Sequence, residues 1–307
     1  MSIENGKGGV SVQNLYKKCN LCARGCLVDR NEKTGFCKMP AALFVSRAAL
    51  HHWEEPVISG TRGSGTIFFS GCSLGCVFCQ NREISRGISG REITTDRLAE
   101  IMLELKEQGA HNINLVTPTH YAPSIREAII KAKAKGLDLP IVYNTGSYDT
   151  PETLKMLDGL IDVYLPDLKY FRPLSAKKFS GVENYPTVAR AAIAEMHRQV
   201  GNPKINSEEI MTRGVIVRIL LLPGHVAEAK LSLKYLIDTY GDSIYVSLMN
   251  QYTPMQNMTA PLNRRVTHGE YSELLEYAEK IGVKNGFTQV FGTAEESFIP
   301  PFDNTGI

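Results

Sequence analysis

Gly71-Cys72-Ser73-Leu74-Gly75-Cys76-Val77-Phe78-Cys79-Gln80-Asn81 follows directly on a short apolar run at 66–70, TIFFS. Three cysteines separated by three and then two residues, on a loop that caps a strand, can present three thiolates to one iron–sulfur cube. The fourth iron is then left without a protein ligand, and an open iron is where a small molecule can bind metal and receive an electron directly. A structural zinc site would close its shell with a fourth Cys or His, and none follows nearby at matching spacing.

Downstream, short apolar runs alternate with amphipathic helical patterns, the signature of a parallel sheet built from βα units. Strands are predicted at 66–70, 112–117, 140–145, 162–167, 215–222, 243–250 and 287–291. Leu98, Ile101, Met102 and Leu105 recur at helical spacing and form one apolar stripe; further helices are expected over 124–135, 187–200 and 226–240. Thr150-Pro151 reads as an N-cap followed by proline at N1, and Thr267 with Glu270 has capping-box spacing. Six or seven such units, with no Gly-x-Gly-x-x-Gly after the first strand, predict an α/β chain folded as a partial or full TIM-like βα barrel. Chemistry in such a barrel sits at the carboxyl ends of the strands.

Upstream, Cys19, Cys22, Cys26 and Cys37 are spaced by two, three and ten residues. Four thiolates that close can enclose one zinc ion or cap every iron of a second cube, and the spacing leaves both readings open. A small module of this kind buries too little to be stable without a metal. The expected organisation is an N-terminal Cys-rich module at 1–60, a barrel at 61–295 and a C-terminal tail at 296–307. Gly6-Lys7-Gly8-Gly9 has no preceding strand and no closing Gly-Lys-Ser/Thr, so it reads as a loose N-terminus rather than a phosphate loop. His51-His52-Trp53 reads as packing and linker.

Cys72, Cys76, Phe78 and Cys79 match Cys-x3-Cys-x-aromatic-Cys, and in this the chain resembles the radical S-adenosylmethionine (SAM) superfamily. The wording GCSLGCVFCQN is similar to the branch of the pyruvate formate-lyase-activating enzymes and their homologues, from about Gly65 to about Gly292. The resemblance implies a [4Fe-4S] cluster on Cys72, Cys76 and Cys79. That cluster would reduce bound S-adenosyl-L-methionine to methionine and a 5'-deoxyadenosyl radical, which abstracts hydrogen from a substrate. It also implies that Phe78 lies near the adenine, that Asp167 and Lys169 help hold the cofactor, that Asn144 meets the ribose, and that Arg218, ahead of Pro223-Gly224, belongs to the same site. A Gly-Gly-Glu-like segment that binds the cofactor's amino group in that branch is replaced here by Val116-Thr117-Pro118-Thr119-His120, so the hydroxyls of Thr117 and Thr119, or backbone carbonyls, take that role. The branch's Pro-x-His segment after the sixth strand is replaced by Asn250-Gln251-Tyr252-Thr253-Pro254, which points to a changed substrate or docking partner. The implied partners are a protein or peptide substrate such as a glycyl radical enzyme and a flavodoxin- or ferredoxin-type electron donor. Modification of a peptide or small molecule is the alternative. From another class, a non-catalytic interaction protein with both cysteine groups as zinc staples stays open.

The resemblance implies an iron-binding oxidoreductase, and the wider composition works by exclusion. The 307 residues carry 34 Lys plus Arg against 32 Asp plus Glu, a net charge of +2 that gives no field for nucleic acid or membrane. With 43% hydrophobic residues the chain has material for a large core. No run is long and apolar enough to span a bilayer, no signal-peptide core opens the chain, and all seven cysteines fall between Cys19 and Cys79. Clustered thiols read as metal ligands in a reducing compartment, so the expected location is the cytoplasm. His120 and His225 follow strands and are rim candidates, with ordinary loop roles as the simpler reading.

Overall fold

Runs of apolar residues joined by amphipathic helices bring successive strands together with the same polarity. The computed structural model, which describes residues 12–87, 89–290 and 300–307, has that arrangement. Its strands are β1 (Leu43–His51), β2 (Ser64–Phe69), β3 (Arg91–Ile93), β4 (Ile113–Val116), β5 (Ile141–Thr145), β6 (Val163–Pro166), β7 (Lys204–Ile205), β8 (Met211–Leu220), β9 (Tyr245–Met249) and β10 (Gly286–Thr288). They lie in the order β10-β9-β8-β6-β5-β4-β2-β1-β3, with β7 paired to β8. From β2 through β10 along that order every pair is parallel. β1 runs antiparallel to both β2 and β3. Among the described residues no pairing joins β10 to β3, so the barrel is a partial one.

The predicted helix starts work as their chemistry requires. Thr94 accepts from the Arg97 amide at the head of Thr95–Glu107, and that helix buries Leu98, Ile101, Met102 and Leu105 against the sheet. Each such side chain, fully buried, contributes about 1.5–3 kcal/mol. Thr150 caps Pro151–Lys155, and Thr267 with Glu270 completes a capping box ahead of His268–Lys280. The helices Ala122–Ala134, Tyr185–Val200 and Val226–Tyr240 stand where the periodicity places them.

Three features differ from the sequence reading. β1 lies within residues 1–60 yet joins the same sheet as the parallel strands, because its partner is β2. A helix at Pro173–Ser180, too short for a periodic signal, is held by Glu228, which accepts from the Phe171 and Arg172 amides and the Ser175 hydroxyl. The last strand begins at Gly286; Phe291 of the predicted run, like the Gly6–Gly9 fragment, lies outside the described residues. Residues 300–307 add a final layer on β1: the Thr305 carbonyl accepts from Ala48, and the Phe302 ring packs 5.4 Å from Phe68. Among the described residues no helix is long and apolar enough to cross a membrane.

Candidate active site

A cavity of about 230 Å³ opens at the carboxyl ends of the parallel strands. Cys72, Cys76, Phe78 and Cys79 line it from the loop after β2, Thr117 and Thr119 from the end of β4, and Asn144 from β5. Asp167 and Lys169 reach it from the end of β6, and Arg218 from β8. All ten residues singled out for the cluster and cofactor thus share one wall, although they span 147 positions of sequence.

The cysteine loop is held at both ends. Gly71 and Gly75 have φ of +85° and +72°, and Gly71 has no room for a Cβ, which would fall 2.3 Å from Met39 Cγ and 2.7 Å from the Cys37 carbonyl oxygen. The Val77 amide donates to the Phe179 carbonyl at 2.9 Å, tying the loop to Pro173–Ser180. From the same helix the Ser180 hydroxyl donates to Cys76 Sγ at 3.0 Å, and the Leu74 amide donates to Cys72 Sγ at 3.4 Å. Phe78 is buried, with edge-on contacts to Tyr170, Phe179 and Tyr252 at 6.2–6.4 Å. All seven thiols are free. Burial, reinforced by repulsion from Cys76 and Cys79, pushes the Cys72 thiol up to about 11, and burial raises Cys79 as well. Three convergent thiols with hydrogen-bond donors aimed at their sulfurs suit an iron–sulfur cube, since metal binding removes the protons that burial holds on.

Behind the loop lies a buried charge network that the sequence reading met only in part. Lys169 Nζ is 2.5 Å from Asp167 Oδ2, and Arg218 donates through Nε to Asp167 Oδ1 at 2.8 Å and through Nη2 to Asn144 Oδ1 at 2.6 Å. The unexpected member is Glu54, next to the His51–Trp53 segment read as packing and linker. Its Oε1 accepts from both Asn114 and Asn144 at 3.1 Å, and its Oε2 lies 3.3 Å from Arg218 Nη1. Burial raises the Glu54 carboxyl despite Arg218. For Asp167 burial pushes the same way, but Arg218 and Lys169 outweigh it and hold the carboxyl below its usual range. Burial opposes the Lys169 ammonium, yet Asp167 and then Cys76 raise it, so a fixed cation stands beside the thiol loop. Asn144 is an internal strand residue whose side-chain amide is used at both ends.

Thr117 has φ of +60°, a conformation that costs a β-branched residue about 1–3 kcal/mol, and such strain concentrates at functional sites. His120 turns away from the cavity: its Nε2 meets the Ser70 carbonyl at 2.7 Å, and burial lowers its pKa to about 3, leaving it neutral. His225 sits edge-on to Phe179 in a separate small cleft. A polar chamber of about 140 Å³ adjoins the main cavity, sharing Gln80, Asn144, Arg218 and Gln251 with it, and is lined also by His51, Trp53 and Pro300. The 51–54 segment therefore contributes walls as well as linkage.

The four N-terminal cysteines gather under the cysteine loop. A Cβ on Gly35 would lie 3.5 Å from Cys37 Sγ and 3.8 Å from Cys26 Sγ, and the Phe36 amide donates to Cys26 Sγ at 3.4 Å. Burial, with added repulsion from Cys37, Cys19 and Cys26, pushes the Cys22 thiol up to about 12. Beside them Arg30 is fully buried, donating to the carbonyls of Met39, Pro40 and His120 and facing Cys19 Sγ at 3.9 Å. Among the described residues no carboxylate pairs with it. A buried cation needs a counter-charge, and thiolates that have given up their protons to a metal supply one. No three His, Cys, Asp or Glu side chains among the described residues stand close enough together for one bare ion.

A profile of the Radical SAM superfamily matches residues 66–235. The uncharacterised protein MJ0674 of Methanocaldococcus jannaschii is 31% identical over 279 residues, covering 87% of this chain and 76% of its own length. Among solved structures, Streptococcus suis SuiB bound to precursor peptide SuiA aligns with a TM-score of 0.50 at 14% identity, over 71% of this chain and 46% of SuiB. A domain of pyruvate-formate lyase-activating enzyme from Bacteroides vulgatus aligns with a TM-score of 0.41 at 13% identity, over 55% of this chain and 92% of that domain. The chain thus spans about half the length of SuiB, and the likeness to SuiB is one of fold.

Proposed function

The chain belongs to the radical SAM superfamily, an enzyme family whose cofactors are a [4Fe-4S] cluster and S-adenosyl-L-methionine, and on that premise we propose that Cys72, Cys76 and Cys79 hold the cluster. When bound, the pair supplies one-electron reductive cleavage of the sulfonium and, through it, abstraction of a hydrogen atom from substrate. The observation that carries the assignment is the single cavity: three free thiols and every polar residue expected to meet the cofactor line it together.

Each residue has a task that its surroundings support. Ser180 steadies Cys76 through its hydroxyl, and the Lys169 ammonium offsets the negative charge gathered on the three sulfurs. Asp167, kept ionised by Arg218 and Lys169, presents a fixed carboxylate toward the sulfonium cofactor. The Thr117 hydroxyl, or backbone carbonyls beside it, receive its amino group in place of a glutamate, while the Thr119 hydroxyl, expected to share the role, is engaged with Thr145. Asn144 and Arg218 bound the ribose side, and Phe78, with its aromatic neighbours, walls the adenine from water. Cys19, Cys22, Cys26 and Cys37 hold a metal centre whose thiolates supply the counter-charge to the buried Arg30, and a second cluster is its favoured occupant because an electron source is needed close by.

The favoured hydrogen donor is a glycine backbone position in a partner protein, with a flavodoxin- or ferredoxin-type donor in the cytoplasm as electron source. A second reading, a small molecule or peptide, is favoured by the polar chamber of about 140 Å³ beside the cavity. Anaerobically reconstituted protein with dithionite and S-adenosylmethionine is expected to release 5'-deoxyadenosine. Equal release by Cys72→Ala overturns the assignment, and deuterium transferred from a glycyl peptide rather than from a small molecule decides between the two donors.

A further inference from the structure

Arg24 lies between Cys22 and Cys26, yet its guanidinium leaves the four-thiol module and reaches the cofactor loop. Nε donates to the Ser73 carbonyl at 2.8 Å, and Nη2 donates to the carbonyls of Leu74 at 2.8 Å and Ser180 at 3.2 Å. Ser73 and Leu74 are the first two residues after Cys72 on the way to Cys76, and Ser180 is the residue whose hydroxyl meets Cys76 Sγ. The same guanidinium stacks 3.5 Å over the Phe36 ring. Phe36 precedes Cys37 and flanks the loop's central glycine, since a Cβ on Gly75 would stand 3.7 Å from the ring. The Cys37 carbonyl in turn closes on Gly71, at the loop's other end. A guanidinium with three carbonyl acceptors and an aromatic face fixes peptide planes; a lysine, with a single point of charge, matches neither the fork nor the stack.

We infer that Arg24 is a positioning residue through which the four-thiol module sets the geometry of the cofactor loop. The inference rests on the reading of Cys72, Cys76 and Cys79 as cluster ligands. Four thiols closed on a metal fix the Cys22–Cys26 segment, which is too small a unit to order itself by burial. Arg24 then fixes the two peptides next to Cys72 and the helix end behind Cys76. Metal lost from the module is therefore felt at the cofactor site.

The test uses the full chain, reconstituted anaerobically, as wild type, Arg24→Ala, Arg24→Lys and Cys19→Ser/Cys22→Ser. Three readouts are taken: iron and sulfide per chain, the paramagnetic spectrum of the reduced protein with and without S-adenosylmethionine, and amide hydrogen exchange over 71–80. Arg24→Ala is expected to keep the module's metal, to exchange faster over 71–80, and to need about tenfold more S-adenosylmethionine for the half-maximal spectral change. Arg24→Lys is expected not to restore wild-type behaviour, and the double cysteine variant to loosen the same amides. Unchanged exchange and unchanged cofactor response in Arg24→Ala overturn the inference, as does full rescue by lysine. A wild type with no cofactor-responsive signal sinks the functional reading instead, while the exchange data still report whether Arg24 orders the loop.

Discussion

The carboxylate of Glu54 lies 3.3 Å from the guanidinium of Arg218, across 164 positions of sequence, and so joins the segment after β1 to the interior of the parallel strands. The same carboxylate takes both the Asn114 and the Asn144 amides. Because burial raises its pKa, the folded chain binds this proton more tightly than the unfolded chain does. The stabilising contribution is then full below the unfolded carboxyl pKa and is lost as pH rises through the folded value. Glu54→Gln, fixed in the neutral form, should gain stability relative to wild type between pH 5 and pH 8, as read by urea unfolding. Glu54→Ala strands two amides and should cost about 1–3 kcal/mol at either pH. A flat difference for the glutamine variant would show that Glu54 does not titrate in this range.

Asp167 tests the cofactor wall. Asp167→Asn removes the charge that holds both Lys169 and Arg218 in place, so S-adenosylmethionine should bind about tenfold or more weakly, a charge-assisted contact being worth about 1.5–3 kcal/mol. Equilibrium dialysis of reconstituted protein measures it. Iron content should stay at the wild-type level, because Asp167 is not among the thiol ligands.

Gly71→Ala tests the seat of the loop. The new methyl would fall 2.3 Å from Met39 Cγ at a φ of +85°, so overpacking and backbone strain act together. A loss of about 1–3 kcal/mol is expected in denaturant unfolding, along with reduced iron retention. Gly25→Ala, at φ +51° with open space around it, isolates the conformational part.

Glu270 sets the acid limit of one helix. It accepts from both terminal guanidinium nitrogens of Arg264, from the Thr267 amide and hydroxyl, and from the Gly224 amide; the Arg264 contact outweighs burial and holds its pKa at about 2. A depressed carboxyl stabilises above its unfolded pKa, and the contribution is lost as pH falls from about 4.5 toward 2. Glu270→Gln should lower stability by about 0.5–2 kcal/mol at pH 7 and approach wild type only as pH falls to about 2 in thermal melts.

What the chain announced locally was legible. Cys72, Cys76 and Cys79 carry their chemistry in their spacing, and the parallel strands announce themselves through apolar runs bounded by turns. Asp167 and Lys169 were singled out by the family resemblance, and two residues apart at one strand end they reach the same cavity. Glu54 was not, since its meaning lies in Asn114, Asn144 and Arg218, all of them distant, and its own neighbours show no periodicity. Arg24 was missed for a related reason: it recognises main-chain carbonyls, which leave no mark on the residue types at 73, 74 and 180. β1 escaped because antiparallel pairing to β2 is a property of the partner.

The left-handed backbone at Thr117 has an implication for relatives of this chain. Glycine would adopt that turn without penalty, so sterics alone would let the position drift toward it; a side chain kept there at the expense of comfort is a diagnostic letter. Sorting homologous sequences by whether they spell hydroxyl or hydrogen at this place should divide them into groups that grip the amino acid end of their cofactor differently.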